Sequence, residues 1–182
     1  MILARFRRTS RAPTIHGLYG AIVAQARSRG FYVDYGVPDT VEGRFDLIVL
    51  HLVLLLRRLG RQAEAGRGLG QELFDAFCRD LDANLREMGT GDLAVPKKMR
   101  AFAEAFYGRQ AAYLAALAKP DLRAFEKALA RNIFPASNEA GPVALASYAR
   151  AAATSLDVQD DSALLRGAVV FPNPEAFIHA RT

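Results

Sequence analysis

The sequence predicts an all-α fold: a single-domain helical bundle of about six helices with a central apolar helix. Apolar residues recur at helical spacing along most of the chain, and the alternation typical of strands is almost absent. The 182 residues are 51% hydrophobic, which is enough to fill one core. Within residues 47–56, every position except His51 is apolar. These three observations favour a bundle packed around that block.

Three segments are expected along the chain. Residues 1–13 form a basic N-terminal arm, residues 14–157 a helical domain, and residues 158–182 a C-terminal tail that is loosely structured or packed on the domain. The arm has four arginines and no acid, and it lacks the continuous apolar core of about 7–15 residues that a secretory signal requires. The tail contains the stretch VVFPNPEAF, whose prolines disfavour a continuous helix.

The first predicted helix spans residues 14–29. Its apolar positions follow one helical stripe and are Ile15, Leu18, Tyr19, Ile22, Val23 and Ala26. Gly30 suits the C-terminal stop of this helix. The stretch that follows, FYVDYGVPD, favours turns.

The second predicted helix contains the apolar block. Asp39 and Glu42 have the spacing of a capping box at its start, and Gly60 is placed to end it. Its length would be about 20 residues, or about 30 Å. A membrane span needs about 20 predominantly apolar residues, whereas this block ends after ten, before Arg57. We therefore expect a helix buried among others, with one flank open to a partner.

Four further helices follow in the prediction. They span residues 70–88, 96–118, 120–133 and 142–156. The helix at 70–88 carries one inward apolar stripe, formed by Leu73, Phe74, Phe77, Leu81, Leu85 and Met88. Pro96 suits the first turn of the next helix.

The basic charge is concentrated in the first third of the chain. Residues 1–67 carry a net charge of +6 and residues 68–182 a net charge of −1. Such a surface attracts nucleic acid, anionic lipid or an acidic protein alike, and it also serves as a plain solubilising surface. No recognised nucleic-acid motif accompanies it, so no nucleic-acid partner is expected.

Three histidines could act as bases or ligands: His16, His51 and His179. His51 lies in the apolar helix, where we expect a neutral imidazole hydrogen-bonded to a neighbouring helix; a functional role stays open. Phosphate-binding glycine loops, zinc helices of the HExxH type and GxSxG nucleophile turns are all missing from the sequence. We therefore expect no catalytic residues, no metal site and no cofactor.

Two other groups of residues are candidates for chemistry. Cys78 is the only cysteine, which excludes an internal disulfide and favours a buried thiol in a reducing compartment. Asp80 and Glu87 lie near one face of their helix, but the ExxH pair of a di-metal bundle is missing. An enzyme that uses His51 with Asp80 is the least favoured interpretation.

Lys97, Lys98 and Arg100 break a local rule, because they follow Pro96 at the start of a predicted helix. The positive end of the helix dipole disfavours cations there by about 0.3–1 kcal/mol each. Residues that break a local rule are candidates for function. We therefore predict that these cations bind an acidic segment, a phosphate or a lipid headgroup; ordinary solvated surface charge is the other interpretation.

Four ordered blocks together resemble a known family. They are LYGAIVAQAR, FYVDYGVPDTVEGRFDLIVLHLVLLLRRL, ELFDAFCRDLDANLREMGTGDLAVPKKMRAFAEAFYGR and ALARNIF, within residues 14–135. In these four blocks the chain resembles the bacterial branch of the ubiquinol-cytochrome c chaperone family, the assembly factors of respiratory complex III.

This resemblance implies a non-enzymatic helical chaperone that assists maturation of cytochrome b and assembly of the ubiquinol-cytochrome c reductase complex. The expected partners are cytochrome b or its nascent chain, with room for a second assembly factor and for peripheral contact with a membrane. Arg57, Arg58 and Arg61 edge the apolar helix and are predicted to bind the client's polar ends or anionic lipid heads. We expect a cytoplasmic protein, peripheral to the inner membrane.

The principal alternative is a protein that binds an isoprenoid quinone or lipid in an apolar pocket between helices. A pocket lined from both the second and the fourth predicted helices would favour it. A nucleic-acid adaptor ranks third, since the calculated pI of 9.7 permits it and no motif supports it.

Overall fold

The chain folds into helices joined by short connections in the computed structural model, which describes residues 11–134 and 140–177. The elements are α1 (Ala12–Ala26), α2 (Arg29–Val33), α3 (Val41–Gly60), α4 (Glu64–Glu87), α5 (Val95–Leu117), α6 (Arg123–Ile133), α7 (Ala140–Asp157), α8 (Asp161–Leu165) and a 3-10 turn (Pro174–Phe177). No strand occurs in the described ranges. The predicted all-α bundle is confirmed: six helices are long, and α2 and α8 have five residues each.

Helix α3 lies at the centre of the bundle. It packs against α1, α4 and α7, and it also contacts α5 and α6. Its side chains from Leu47 to Leu55 are fully or almost fully covered, except for the half-buried Ile48. Since these residues are apolar on nearly every side of the helix, neighbours are needed on nearly every side. The prediction of a buried helix is confirmed.

The start of α3 differs from the predicted capping box. Thr40, in an extended conformation, is the N-cap, and its Oγ1 accepts a hydrogen bond from the Gly43 amide at 3.1 Å. A capping box needs an acid three residues after the cap, and with Thr40 as the cap that position is Gly43. Asp39 instead binds the Arg44 guanidinium at 2.7 Å.

The stretch predicted to be turn-forming, residues 31–39, begins within α2 and contains two core aromatics. The side chains of Phe31 and Tyr35 are buried. The Tyr35 hydroxyl donates to the Pro174 carbonyl at 2.6 Å, which ties this connection to the C-terminal part of the chain.

Residues 158–177 lie against the bundle. The rings of Phe171 and Phe177 pack on His51 and Tyr148 respectively. In the described ranges, no helix is both long enough and apolar enough to cross a membrane. Residues 1–10 of the predicted arm and His179 lie outside the described residues.

Candidate functional site

An apolar groove of about 270 Å³ opens between α1, α3 and α4. Its lining is mostly aliphatic and aromatic: Tyr19, Val41, Phe45, Ile48, Phe77, Leu81, Leu85 and Met88, with Arg44, Asp80 and Asn84 at the edge. We call these residues the apolar groove.

The groove exists because the apolar stripe of α4 is longer than the core that covers it. Phe77 is buried, Leu81 and Leu85 are half-buried, and Met88 at the end of the stripe is 72% exposed. The sequence prediction placed all of them inward, and it is wrong for Met88. Across the groove, Val41 in the first turn of α3 is 68% exposed. The mouth therefore presents two large apolar side chains to solvent.

Aromatic rings form the floor of the groove. The rings of Phe45 and Phe77 stack with centroids 5.9 Å apart. Phe102 of α5 lies edge-on to both, at 5.4 Å from Phe45 and 5.5 Å from Phe77. Such contacts hold rings in place beyond what burial of area alone provides. The floor is therefore preformed, in contrast to the exposed side chains at the mouth.

Polar groups stand only at the edge of the groove. The Tyr19 hydroxyl donates to the Asp80 carboxylate at 2.7 Å. Burial, together with the Asp80 hydrogen bond, raises the pKa of Tyr19 well above its ordinary value, so the hydroxyl stays protonated. An apolar segment with a polar end fits this arrangement of apolar floor and polar edge.

His51 is buried at the contact of α3 with α7, as the sequence predicts. Its Nδ1 lies 2.7 Å from the Leu47 carbonyl, and its Nε2 lies 2.8 Å from the Tyr148 hydroxyl. Because a carbonyl only accepts, Nδ1 carries the proton and Nε2 accepts from Tyr148. Burial lowers the pKa of His51 to about 4, so the imidazole is neutral at pH 7. Both ring nitrogens serve the packing of the core.

The three arginines at the end of α3 are engaged within the chain. Arg57 binds both Asp157 carboxylate oxygens at 2.9 Å, and Arg61 binds the same carboxylate at 2.8 Å. Arg58 is buried; it donates to the Leu156 carbonyl at 2.7 Å and the Gln159 carbonyl at 2.8 Å, and it pairs with Asp161. These bonds join α3 to residues 156–161. Binding of a client or lipid by these arginines stays a prediction.

The cations predicted on the first turns of α5 lie at the surface. Helix α5 begins at Val95, and Lys97, Lys98 and Arg100 are exposed. The Lys98 ammonium donates to the neutral Thr90 hydroxyl at 2.9 Å, so its charge is not neutralised by that bond. These residues lie next to the turn that follows Met88, the last residue of the groove stripe. Their role in binding stays a prediction.

The remaining candidates for chemistry have no contact recorded with one another among the described residues. Asp80 of α4 accepts from Tyr19 of α1, whereas His51 of α3 is bonded to Tyr148 of α7. Cys78 is half-buried, and burial raises the pKa of its thiol, which disfavours the reactive thiolate. His16 is exposed on α1. Within the described ranges, no cluster of these residue types could hold a metal ion.

A second depression bears on the quinone or lipid alternative. It has a volume of about 200 Å³ and is lined from α3, α4 and α5, with Leu56, Phe74 and Phe106 among its walls. Leu56 belongs to the second predicted helix and Phe106 to the fourth, so this depression has the lining that would favour the alternative. Its volume, however, is below the roughly 300–1,000 Å³ of typical small-molecule sites. Arg67 and Gln110 also line it.

The fold and the groove define a class: an all-helical binding protein whose candidate site is an exposed apolar groove. Comparison with known proteins is more specific. The ubiquinol-cytochrome C chaperone family matches residues 33–171. The chain belongs to this family, which confirms the resemblance seen in the sequence.

A solved structure agrees with this assignment. The crystal structure of the Cbp3 homolog from Brucella abortus is 39% identical to this chain, with a TM-score of 0.85. The match covers 96% of this chain and 98% of that one. Comparison with curated proteins gives no match.

The sequence offers Asp80 alone of the groove residues as a candidate for chemistry, and it indicates none of the apolar groove residues as a site. Val41, Phe45 and Ile48 fall in the capped start of a helix, and Leu81, Leu85 and Met88 in a stripe assigned to the core. One signal could have found them: the stripe on α4 runs to the last turn, directly before the loop-forming GTGD.

Proposed function

We propose that this protein is an assembly chaperone for the ubiquinol-cytochrome c reductase complex and that it holds an apolar segment of newly made cytochrome b in the apolar groove, hereafter the client groove. Membership of the chaperone family supports the role in the complex. The observation that carries the choice of site is the exposure of Val41 and Met88 at the mouth of a preformed aromatic floor. The protein performs no bond-making chemistry in this role.

The size of the groove suits transient binding. At about 270 Å³ it accepts a few apolar side chains and not a whole transmembrane helix. A helix that lies in such a groove is anchored by side chains at i, i+3 and i+4. Burial of apolar area contributes about 25 cal/mol per Å², so a small contact gives a complex that can release its client to the membrane.

The proposed place of action is the cytoplasmic side of the inner membrane, where cytochrome b emerges. The single cysteine agrees with a reducing compartment. A second assembly factor could share the client, and the groove does not require one.

The test is complementation of a deletion strain. Deletion should lower cytochrome b protein and complex III activity while the transcript level stays near normal. The wild-type gene should restore both, and a Val41→Asp, Met88→Lys double variant should not. That variant preserves net charge, and each new charge suits the helix end at which it stands.

The matched control is a Val158→Asp, Val170→Lys double variant. Val158 is 82% exposed and Val170 is 70% exposed, and both lie outside the groove. This control should restore complex III as well as the wild type does. Normal complex III in the deletion strain would reject the assembly role, and full rescue by the groove variant would reject the groove as the client site.

A further inference from the structure

The turn between α4 and α5, residues 88–94, exposes an apolar side chain that nothing in the described chain covers. Leu93 is 98% exposed. A single exposed leucine on a surface is ordinary, but this one stands at the apex of a helical hairpin, seven residues or fewer from three exposed cations. It follows the exposed Met88, at the mouth of the groove, by five residues.

We propose that this turn is a membrane-docking site, in which Leu93 inserts into the interface of a bilayer and Lys97, Lys98 and Arg100 bind the anionic headgroups. We call these four residues the docking turn. The site is independent of the occupant of the client groove.

The local charges favour an anionic surface. Among residues 86–100, the acids are Glu87 and Asp92 and the cations are Arg86 and the three of the docking turn, which leaves a net charge of +2. Asp92 is already paired with Arg86, which also binds Asp82. The three docking cations have no carboxylate partner among the described residues, and the one bond recorded for Lys98 goes to a hydroxyl. These three cations can therefore attract and bind an external anion.

The apolar apex distinguishes a bilayer from an acidic protein. A protruding leucine gains from binding only where it can leave water, which on a protein partner requires a complementary pocket. A bilayer has a hydrocarbon layer beneath every part of its surface, and an anionic bilayer also carries negative charge at the level of the headgroups. Peripheral proteins combine basic and apolar side chains in this way, and each lysine or arginine near an anionic leaflet adds to the attraction.

Docking by this turn would place the client groove beside the bilayer. Met88 belongs to the groove and lies five residues before Leu93 of the docking turn. If the proposed function holds, an apolar segment of a membrane-embedded client then has a short path between groove and lipid. This consequence rests on the proposed function, whereas docking itself does not.

The first experiment measures co-sedimentation of the purified full chain with two kinds of vesicle. One consists of phosphatidylcholine alone, and in the other about 30% of the lipid is the anionic phosphatidylglycerol. Binding is expected to the anionic vesicles only and to weaken as salt rises. The Lys97→Glu, Lys98→Glu, Arg100→Glu variant should lose at least about tenfold in affinity. The control is Lys119→Glu, Lys127→Glu, Arg131→Glu, which changes the net charge equally at exposed sites elsewhere.

The second experiment tests insertion of the apex. The chain contains no tryptophan, so Leu93→Trp introduces a single fluorescent reporter. Its emission should shift to shorter wavelength with anionic vesicles, whereas Val158→Trp on another exposed surface should not respond. Circular dichroism confirms that each variant is folded.

Three results would overturn the proposal. Equal losses in the two triple variants would reduce the binding to general charge attraction. An unshifted Leu93→Trp emission on vesicles that bind would exclude insertion. Binding of a poly-glutamate peptide without any vesicle binding would assign the cations to an acidic protein instead. No client is present in these assays, so their failure leaves the complementation test unaffected.

Discussion

Tyr148 donates its hydroxyl proton to Nε2 of His51 across 2.8 Å of the buried contact between α7 and α3. The same hydroxyl accepts from the Gln25 amide at 2.9 Å, and that amide also donates to the Pro172 carbonyl at 2.9 Å. His51 completes the series through its bond to Leu47. One connected network thus links α1, α3, α7 and the C-terminal segment of the described chain.

Removing either member of this pair should destabilise the fold. Tyr148→Phe leaves the His51 acceptor and one Gln25 donor without that partner, and it should lower the free energy of unfolding by about 1–3 kcal/mol. His51→Ala adds a cavity and should cost about 2–5 kcal/mol. Urea denaturation measures both. Tyr107→Phe, at a ring that is 56% exposed, is the control and should change little. An unaltered free energy of unfolding in His51→Ala would contradict the core assignment.

The stability of the protein should depend on pH through His51. Burial lowers its folded pKa to about 4, below its ordinary value of 6.5. The contribution of the neutral ring is complete above pH 6.5 and is lost as the pH falls toward 4, because the unfolded chain takes up the proton first. The advantage of wild type over His51→Gln should therefore shrink by about 3 kcal/mol in that window.

Asp46 changes the stability of the fold in the opposite direction as the pH falls. The effect of His51 is therefore measured as the difference in stability between wild type and His51→Gln. Burial raises the pKa of Asp46 to about 6, although Arg109 lies 3.1 Å away and favours the charged form. The folded state therefore gains stability from Asp46 as the pH falls through 6. This contribution is common to wild type and His51→Gln and cancels in their difference. A difference that stays constant from pH 7 to pH 4 would argue against a buried neutral His51.

Neighbouring arginines at the end of α3 should differ sharply in their effect on stability. The Arg58 side chain is 8% exposed and satisfies two main-chain carbonyls, so Arg58→Ala should cost about 2–3 kcal/mol. The Arg61 side chain is 60% exposed, and Arg61→Ala should cost about 0–1 kcal/mol. Chemical denaturation of the two variants gives the comparison. Equal costs would mean that Arg58 does not hold residues 156–161 in place.

Two glycines of α1 should respond to alanine with opposite signs. A Cβ on Gly17 would lie 2.7 Å from the Gly167 carbonyl oxygen, so Gly17→Ala should force α1 and that loop apart at a cost of about 1–3 kcal/mol. Gly20 has open space around the same position, and Gly20→Ala should stabilise the helix by about 0.5–1 kcal/mol. Thermal unfolding of both variants tests the prediction. A stabilising Gly17→Ala would show that the loop does not press on α1.

The sequence by itself determined the features that depend on local spacing. Apolar residues that recur along one chain segment predict the all-α class and the burial of α3. They also predict that the His51 imidazole is buried and neutral. The family resemblance was also visible there, because it rests on ordered blocks of residues. Cap positions were less secure: Thr40 and Asp39 are adjacent, and only the backbone conformation decides which of them caps α3.

Only the tertiary structure decided what covers each apolar face and which charges meet. Periodicity placed Met88 on the same stripe as Phe77, but the described residues leave Met88 72% exposed. The partners of Arg57 and His51 lie 100 and 97 residues away along the chain. Spacing in a sequence specifies the direction in which a side chain points from its own helix. The packing of distant segments decides which atoms that side chain contacts. At the end of α4, that packing leaves a groove between α1, α3 and α4.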